Sequence, residues 1–380
     1  MEYPQRRGES LANSRLTTLR SSPILEALPI PAERPRTYEE QHGVARTIDE
    51  LAELSGVSRA TVSRVLNGGS VSEKTRRRVE AVLGEANYRP NMAARSLASG
   101  RSNVIGVVMH IDPHLLFQDP YFGQLMQGMS TALADQSAGM MLWLGNRSKE
   151  ETLGTILSMG ILDGVVVTAN DLDDPLVDGL LASSLPTMLV GHRKADRTAS
   201  YVDVDNVHAA DAMTTHLVSI GRCRVGYITG TPRNVAAVDR LAGYRRAMQR
   251  AGLTNDDLIV EGDFNAASGV TGAATLLDRG GADAIFCAND ATALGALETI
   301  RARGLRVPED VALAGFDDLE FAAHLDPPLT TIRQGVRQQG AEAVSNLFQL
   351  IADREGSPRR VLLPTELVIR QSTVGGGPRS

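Results

Sequence analysis

The chain has 380 residues, 42% hydrophobic, 22% charged and only 4% aromatic. That ordinary globular mixture excludes collagenous, wholly disordered and miniature scaffold classes. No apolar run approaches the ~18–20 residues that span a bilayer, and the first thirty residues, with Arg6, Arg7, Arg15 and Arg20, lack the apolar core of an export signal. The net charge of −6 is uneven: residues 1–99 carry fifteen Lys/Arg against twelve Asp/Glu, and the remainder 24 against 33, a basic head on an acidic body that points to a polyanion-binding module.

Residues 1–46 mix Pro, Arg, Ser and Glu without periodicity and read as a disordered extension. From Thr47 the pattern turns helical. Thr47 suits the cap of a helix through Leu51, Ala52 and Leu54, which Gly56 ends. Ser58 caps a second helix with Thr61, Val62, Val65 and Leu66 on its apolar face, stopped by Asn67-Gly68-Gly69. Ser72 opens a third, with Val79, Val82 and Leu83 inward, which ends near Asn87.

The first two helices meet the requirements of a helix-turn-helix. Ala52 is small enough for a close approach, Gly56 permits the turn, and Val57 plugs the space between the helices. On the second helix Arg59 and Arg64 are placed for guanine edges or phosphates, and Ala60 for a thymine methyl. Thr61, Ser63 and Asn67 suit phosphate contacts, and Arg76, Arg77 and Arg78 add charge facing the backbone.

From residue 103 short apolar runs alternate with amphipathic helices. The runs are Val104–Met109, Met140–Leu144, Gly164–Thr168, Thr187–Val190, Val225–Thr229, Ala284–Ala288 and Val311–Phe316. Helical stretches lie near 121–135, 150–159, 173–182, 206–220, 237–251, 267–279, 291–303 and 336–352. This is the pattern of βαβ units and parallel sheets. About ten strands are too many for one compact sheet, so two doubly wound lobes are expected, with a single barrel as the alternative. Two cysteines, Cys223 and Cys287, offer neither a disulfide framework nor a zinc quartet, which fits a reducing, cytoplasmic address.

Thr47–Gly69, with Val71-Ser72, Thr75-Arg76, Asn87-Tyr88 and Arg89-Pro90-Asn91, resembles the head of the lac repressor (LacI/GalR) family of transcription factors. The resemblance runs on through the α/β body to about Thr373. It implies a helix-turn-helix domain over 47–90, a hinge helix and linker over 91–102, and a periplasmic-binding-protein-like body. Lobe 1 then takes 103–204 plus 334–363, and lobe 2 takes 205–333 plus 364–376. In the family, the segment matching Asn91–Ser99 orders in the minor groove of the operator. Nine residues make a marginal helix alone. Ala93 and Ala94 are small enough for two copies to pack across a dimer axis, leaving Leu97 as an apolar wedge between base pairs. Thr47, Ser58, Asn91 and Ala94 join the expected DNA contacts.

Doubly wound sheets bind ligands beyond their strand C-termini. Tyr121 and Phe122 follow the first body strand, where the family places an aromatic wall, and Gly191-His192-Arg193 follows Thr187–Val190, which makes Arg193 a candidate ligand. Arg240 matches the family's principal effector-binding arginine, whose fork can hold two hydroxyls or a carboxylate. Phe264 matches an aromatic platform, and Asn289 and Asp317 match residues that bind effector hydroxyls. Gln334 lies on the third crossover, close to the cleft. Asp290 reads equally as cap or ligand, Asp318 as structural, His192 as a rim or packing residue, and Cys287 as an inert core thiol. His192-Arg193 replaces an acidic position of some relatives, and Val336 an aromatic one.

No nucleophile elbow, phosphate-cradling glycine loop or metal-spaced cluster appears. The expectation is therefore a regulator with no catalytic site, cofactor or metal. Its expected partners are a near-palindromic DNA operator, a small effector (a carbohydrate or its derivative) in the interlobe cleft, and a second copy of the chain. Beyond Thr373 no heptad tail follows, so a dimer is expected. The competing readings are a transporter's solute-binding protein, which shares the body, and a sugar-active enzyme carrying a DNA-binding head.

Overall fold

The computed structural model describes residues 47–66, 69–86, 88, 101–109, 111, 113–145, 148–168, 171–193, 198–253, 256–279 and 281–374. Two compact units, Met1–Pro90 and Asn91–Ser380, divide the chain.

In the first unit, α1 (Ile48–Ser55), α2 (Arg59–Leu66) and α3 (Glu73–Glu85) surround Leu51, Ala52, Val62, Val65 and Val79. Reciprocal bonds between Thr47 and Glu50 close a capping box at the start of α1: Glu50 N donates to Thr47 Oγ1 at 3.3 Å and Thr47 N to Glu50 Oε2 at 2.9 Å. Gly56 then adopts φ 59° and ψ 38°, a left-handed cap natural to glycine. The turn is completed by Val57 N donating to Ala52 O at 3.0 Å.

The second unit contains two parallel sheets. The first has the order β11-β5-β4-β3-β1-β2 and comprises Val104–Met109 (β1), Gly139–Leu144 (β2), Gly164–Thr168 (β3), Thr187–Val190 (β4), Ser200–Val204 (β5) and Arg360–Leu363 (β11). The second has the order β7-β6-β8-β9, from Ile259–Val260 (β7), Val225–Ile228 (β6), Ala284–Cys287 (β8) and Ala312–Ala314 (β9). Thr331–Arg333 (β10) and Glu366–Val368 (β12) pair antiparallel. In each sheet the chain reverses its direction of strand addition beside its first strand, β1 or β6, which makes a switch point where ligands collect.

The α/β helices are α4 (Pro113–Gln118), α5 (Pro120–Asp135), α6 (Lys149–Met159), α7 (Pro175–Ala182), α8 (Asn206–Ser219), α9 (Val235–Arg250), α10 (Ala266–Asp278), α11 (Asp290–Ala302) and α12 (Val336–Ala352). Continuous apolar runs became strands nearly as written, whereas Val311–Phe316 shortens to Ala312–Ala314. The apolar-run reading named none of β5, β7, β10, β11 and β12. Ser200–Val204 carries an aspartate, and Arg360–Leu363 is a half-exposed edge strand; neither needs an unbroken apolar run.

Candidate functional site

On the first unit, α2 begins with Ser58 Oγ accepting from Thr61 N at 3.2 Å and lying 2.9 Å from Thr61 Oγ1. Arg59, Ala60 and Arg64 are exposed, while Val62 and Val65 are buried, so the helix turns one face to its own core and one to solvent. The three arginines of α3 have partners within the unit: Arg76 donates to Gly69 O at 2.8 Å, Arg77 pairs with Glu73 at 3.2 Å, and Arg78 donates to Gly56 O at 3.4 Å. Asn67, Asn91, Ala94 and Leu97 lie outside the described residues.

On the second unit, a cavity of about 260 Å³ opens at the C-terminal ends of both parallel sheets. The first sheet contributes Ile111, Asp119, Tyr121 and Phe122 after β1, Thr168 at the end of β3 and Asp171 after it, Gly191 after β4, and Asp203 near the end of β5. The second contributes Thr231 and Asn234 after β6, Asp263 and Phe264 after β7, Asn289 after β8, and Asp317 after β9. Asn206, Arg240, Gln334 and Gln339 close the rest. Across the mouth, Leu172 N donates to Arg233 O at 2.8 Å, and Asp171 and Asn234 form an antiparallel bridge.

Arg240, 5% exposed, is held from several sides. Its Nε donates to Asn206 Oδ1 at 2.9 Å and its Nη1 to Ala288 O at 2.6 Å. The guanidinium lies 3.6 Å from the Phe316 ring centre and 3.8 Å from Asp317 Oδ1, so packing, cation–π contact and charge fix its plane. Gln334 Nε2 donates to Asp317 Oδ1, and Gln339 Nε2 donates to Gln334 Oε1 at 2.9 Å. Burial drives the Asp317 carboxyl well above the usual range despite Arg240. Burial likewise raises Asp119, the cap of α5, to about 6, only partly offset by the Tyr121 N–H it accepts at 2.9 Å. The Tyr121 hydroxyl is pushed up by burial and by nearby Asp317, Asp203 and Asp119.

Seven of the eight expected ligand residues, namely Tyr121, Phe122, Arg240, Phe264, Asn289, Asp317 and Gln334, line this one cavity. Arg193 is the exception. Its Nη1 pairs with Asp178 at 2.8 Å and its Nη2 donates to Leu172 O at 3.2 Å, which turns it from the cavity to brace the loop at the mouth. Asn289, not Asp290, caps α11, with Oδ1 accepting from Thr292 N at 2.9 Å and Nδ2 donating to Phe264 O at 2.8 Å. Asp290 is neither cap nor lining: its oxygens accept from Thr331 Oγ1 at 2.6 Å and Leu319 N at 2.8 Å. Asp318 pairs with Arg333 and Arg370. Val336 packs in the core of the first sheet, and Gln339, one turn further on, lines the cavity instead. His192 stands between Asp203, 2.7 Å from Nδ1, and Asp239, 3.2 Å from Nε2.

Sequence reasoning did not place Asp203, Asn206, Asp263 or Gln339 in the site. Asp203 was hidden by the missed β5, and Asn206 and Gln339 sit on first helical turns, where a polar residue looks like an ordinary cap. Phe264 and Asp317 have positive φ, 56° and 117°. Non-glycine residues held in this way cluster at binding sites. Gly230 belongs to the same device: a Cβ there would enter the Phe264 ring.

A profile described as bacterial regulatory proteins, lacI family, matches residues 47–91, and one described as a periplasmic binding protein-like domain matches residues 214–373. Over 332 residues the chain is 37% identical to the HTH-type transcriptional regulator CelR of Thermobifida fusca, a match covering 86% of this chain and 98% of that one. The chain belongs to the lacI family of bacterial regulatory proteins.

Another lacI-family relative, the HTH-type transcriptional repressor PurR of Aliivibrio salmonicida, is 33% identical over 334 residues, covering 86% of this chain and 98% of that one. Among solved structures, the lac repressor dimer bound to operator and the anti-inducer ONPF aligns with a TM-score of 0.78 at 30% identity, over 87% of this chain and all of that one (100%). A CelR–cellobiose complex aligns at 0.68 and 36% identity, over 86% and 99%. A lacI-family head and body match together in these relatives, which are transcriptional regulators. The chain is accordingly a DNA-binding transcriptional regulator and not an enzyme, and the solute-binding and sugar-active alternatives are not favoured. Among the described residues no helix is long and apolar enough to cross a membrane, and no His/Cys/Asp/Glu group is arranged for a metal ion.

Proposed function

We propose that this chain is a cytoplasmic, homodimeric, sugar-responsive repressor. In this reading residues 47–90 dock on each half of a near-palindromic operator, with Arg59, Ala60 and Arg64 at base edges and Thr47, Ser58, Thr61, Ser63 and Asn67 along phosphates. Residues 91–102 order on the minor groove, with Asn91 and Ala94 at the DNA and Leu97 as the wedge. The lobes are 103–204 plus 334–363 and 205–333 plus 364–376, and the effector sits between them. Residues 1–46 are an extension outside this machinery.

The observation that carries the effector half is Arg240, buried and oriented by Asn206, Ala288 and Phe316, with Asp317 beside it. A fixed donor fork beside carboxylate and amide acceptors, walled by Tyr121, Phe122 and Phe264, suits a polyhydroxylated ring. A ligand preferring one lobe arrangement shifts operator affinity by its differential binding, with coupling of ~1–3 kcal/mol. An inducer and a corepressor differ only in which arrangement they prefer.

Mobility-shift titration of the full chain on operator DNA selected from random duplexes, with and without cellobiose and related sugars, tests the whole reading. The expected result is sequence-specific binding altered about 5–150-fold by one sugar. Leu97→Ala should weaken operator binding while leaving sugar binding intact. Absence of any selected duplex, or sugar-independent binding across the panel, refutes the reading.

A further inference from the structure

Two features of the cavity bear on what the ligand carries rather than on whether one binds. The first is charge. Five carboxylates line it, Asp119, Asp171, Asp203, Asp263 and Asp317, and among the described lining residues Arg240 is the one cation. Asp171 is matched by Lys149 at 2.9 Å, Asp203 lies 2.7 Å from His192 Nδ1, and Asp317, whose carboxyl is held by burial well above the usual range, lies 3.8 Å from Arg240. Asp119 and Asp263 have neutral neighbours: Asp119 accepts from Tyr121 N, and Asp263 from Thr231 Oγ1 at 2.9 Å and Asn265 Nδ2 at 3.3 Å. These two lie on opposite banks, Asp119 after β1 and Asp263 after β7. An anion lodged beside either one would meet a carboxylate that none of the ion pairs among the described residues offsets.

The second feature is hydrogen-bond sense. Carboxylates accept and do not donate, and a phosphoryl group at neutral pH also only accepts. Hydroxyls donate and accept. Two of the five Arg240 N–H donors are engaged, by Asn206 Oδ1 and Ala288 O. Charge and hydrogen-bond sense therefore act in the same direction at Asp119 and Asp263, whose carboxylates can accept from a hydroxyl but offer a phosphate nothing.

We infer that the effector is an uncharged, unphosphorylated polyol, and that Asp119 and Asp263 are the residues that reject phosphorylated sugars. This rests on the sugar-sensor reading above. Rejection here is specificity by repulsion: the half-buried Asp119 carboxylate opposes a phosphate more strongly than the same pair would in water, and the exposed Asp263 adds a weaker repulsion from the other bank.

Calorimetric titration of the full chain with cellobiose and glucose, and separately with cellobiose 6′-phosphate and glucose 6-phosphate, tests the inference. The neutral member of a pair should bind at least about a hundredfold more tightly than its phosphate. In the double variant Asp119→Asn, Asp263→Asn the ratio should fall at least about tenfold, because asparagine keeps the cap of α5 and removes the charge. A phosphorylated sugar binding as tightly as its neutral partner overturns the inference and leaves the sensor standing. Neutral preference with an unchanged ratio in the double variant overturns the assignment to these two aspartates. If no sugar of either set binds, the sensor reading falls, and the inference with it.

Discussion

The head and the body present their arginines in opposite ways. On α2, Arg59 and Arg64 stand in solvent, and Arg59 pairs loosely with Asp49 at 3.6 Å, an exposed contact of small weight. Arg240 is buried in the cleft, with an amide, a carbonyl, a ring and a carboxylate around it. An exposed reader can be replaced with little disturbance to the fold, so its loss registers as affinity alone. A buried binder cannot be removed without stranding its partners, so stability and binding fall together. Under the proposed function the cleft is thus preorganised by the same bonds that keep Arg240 buried, whereas the head would keep recognition and stability on separate faces of one helix.

The widest separation is expected for Arg240→Ala. It should abolish the ligand-induced rise in melting temperature and destabilise the body by about 3–5 kcal/mol; a retained ligand shift would mean that the cleft is not organised around this residue. Next is pH. Burial lifts Asp119 to about 6 and Asp290 to about 7, so the folded state holds these protons more tightly than the unfolded chain does. Body stability should therefore rise as pH falls from about 7 toward 4, each group contributing up to about 3 kcal/mol. Asp211, held well below the usual range by Arg250 and Arg246, works in the other direction, its contribution present above the ordinary carboxylate value and lost as pH drops below it. Chemical denaturation at pH 4.5 and 7, with Asp119→Asn as control, separates these contributions.

Gly230→Ala comes third. The added methyl must displace the Phe264 ring, costing about 1–3 kcal/mol and weakening ligand binding measured by calorimetry; unchanged affinity would remove Phe264 from the site. Arg64→Ala should cost about 1–3 kcal/mol of operator affinity with no change in head melting, and a lowered melting temperature would erase the contrast drawn between the two regions. Smallest is Thr47→Ala, which opens the capping box and should cost the head about 1 kcal/mol, read by circular dichroism of the thermal transition.

Legibility in the sequence follows the same division. The head's helices, caps and turn are set by neighbours three or four positions apart, so Thr47, Gly56, Ser58 and the apolar Leu51 and Val62 could be read directly. Body strands that are buried on both faces, such as Gly164–Thr168, were equally plain. Strands whose only requirement is a partner's edge, such as Arg360–Leu363, were not. In the cleft, Tyr121, Phe122, Arg240, Phe264, Asn289, Asp317 and Gln334 came from resemblance to a family rather than from spacing. Arg193 came instead from its place after a strand: residue type and strand end were right for a ligand, but Asp178 and Leu172 drew the side chain elsewhere.

Residue order alone determined the helical head, the alternation of strands and helices, and the split of a basic front from an acidic body, because each depends on short-range periodicity or composition. Only the folded chain decided that Asp119 and Asp263 face one cavity from opposite banks, that Asn289 is spent on capping α11 and steadying Phe264, and that Gln339 rather than Val336 looks into the cleft. Those outcomes depend on side chains distant in sequence arriving at the ends of two sheets, where burial and the available hydrogen-bond partners settle which groups remain to meet a ligand.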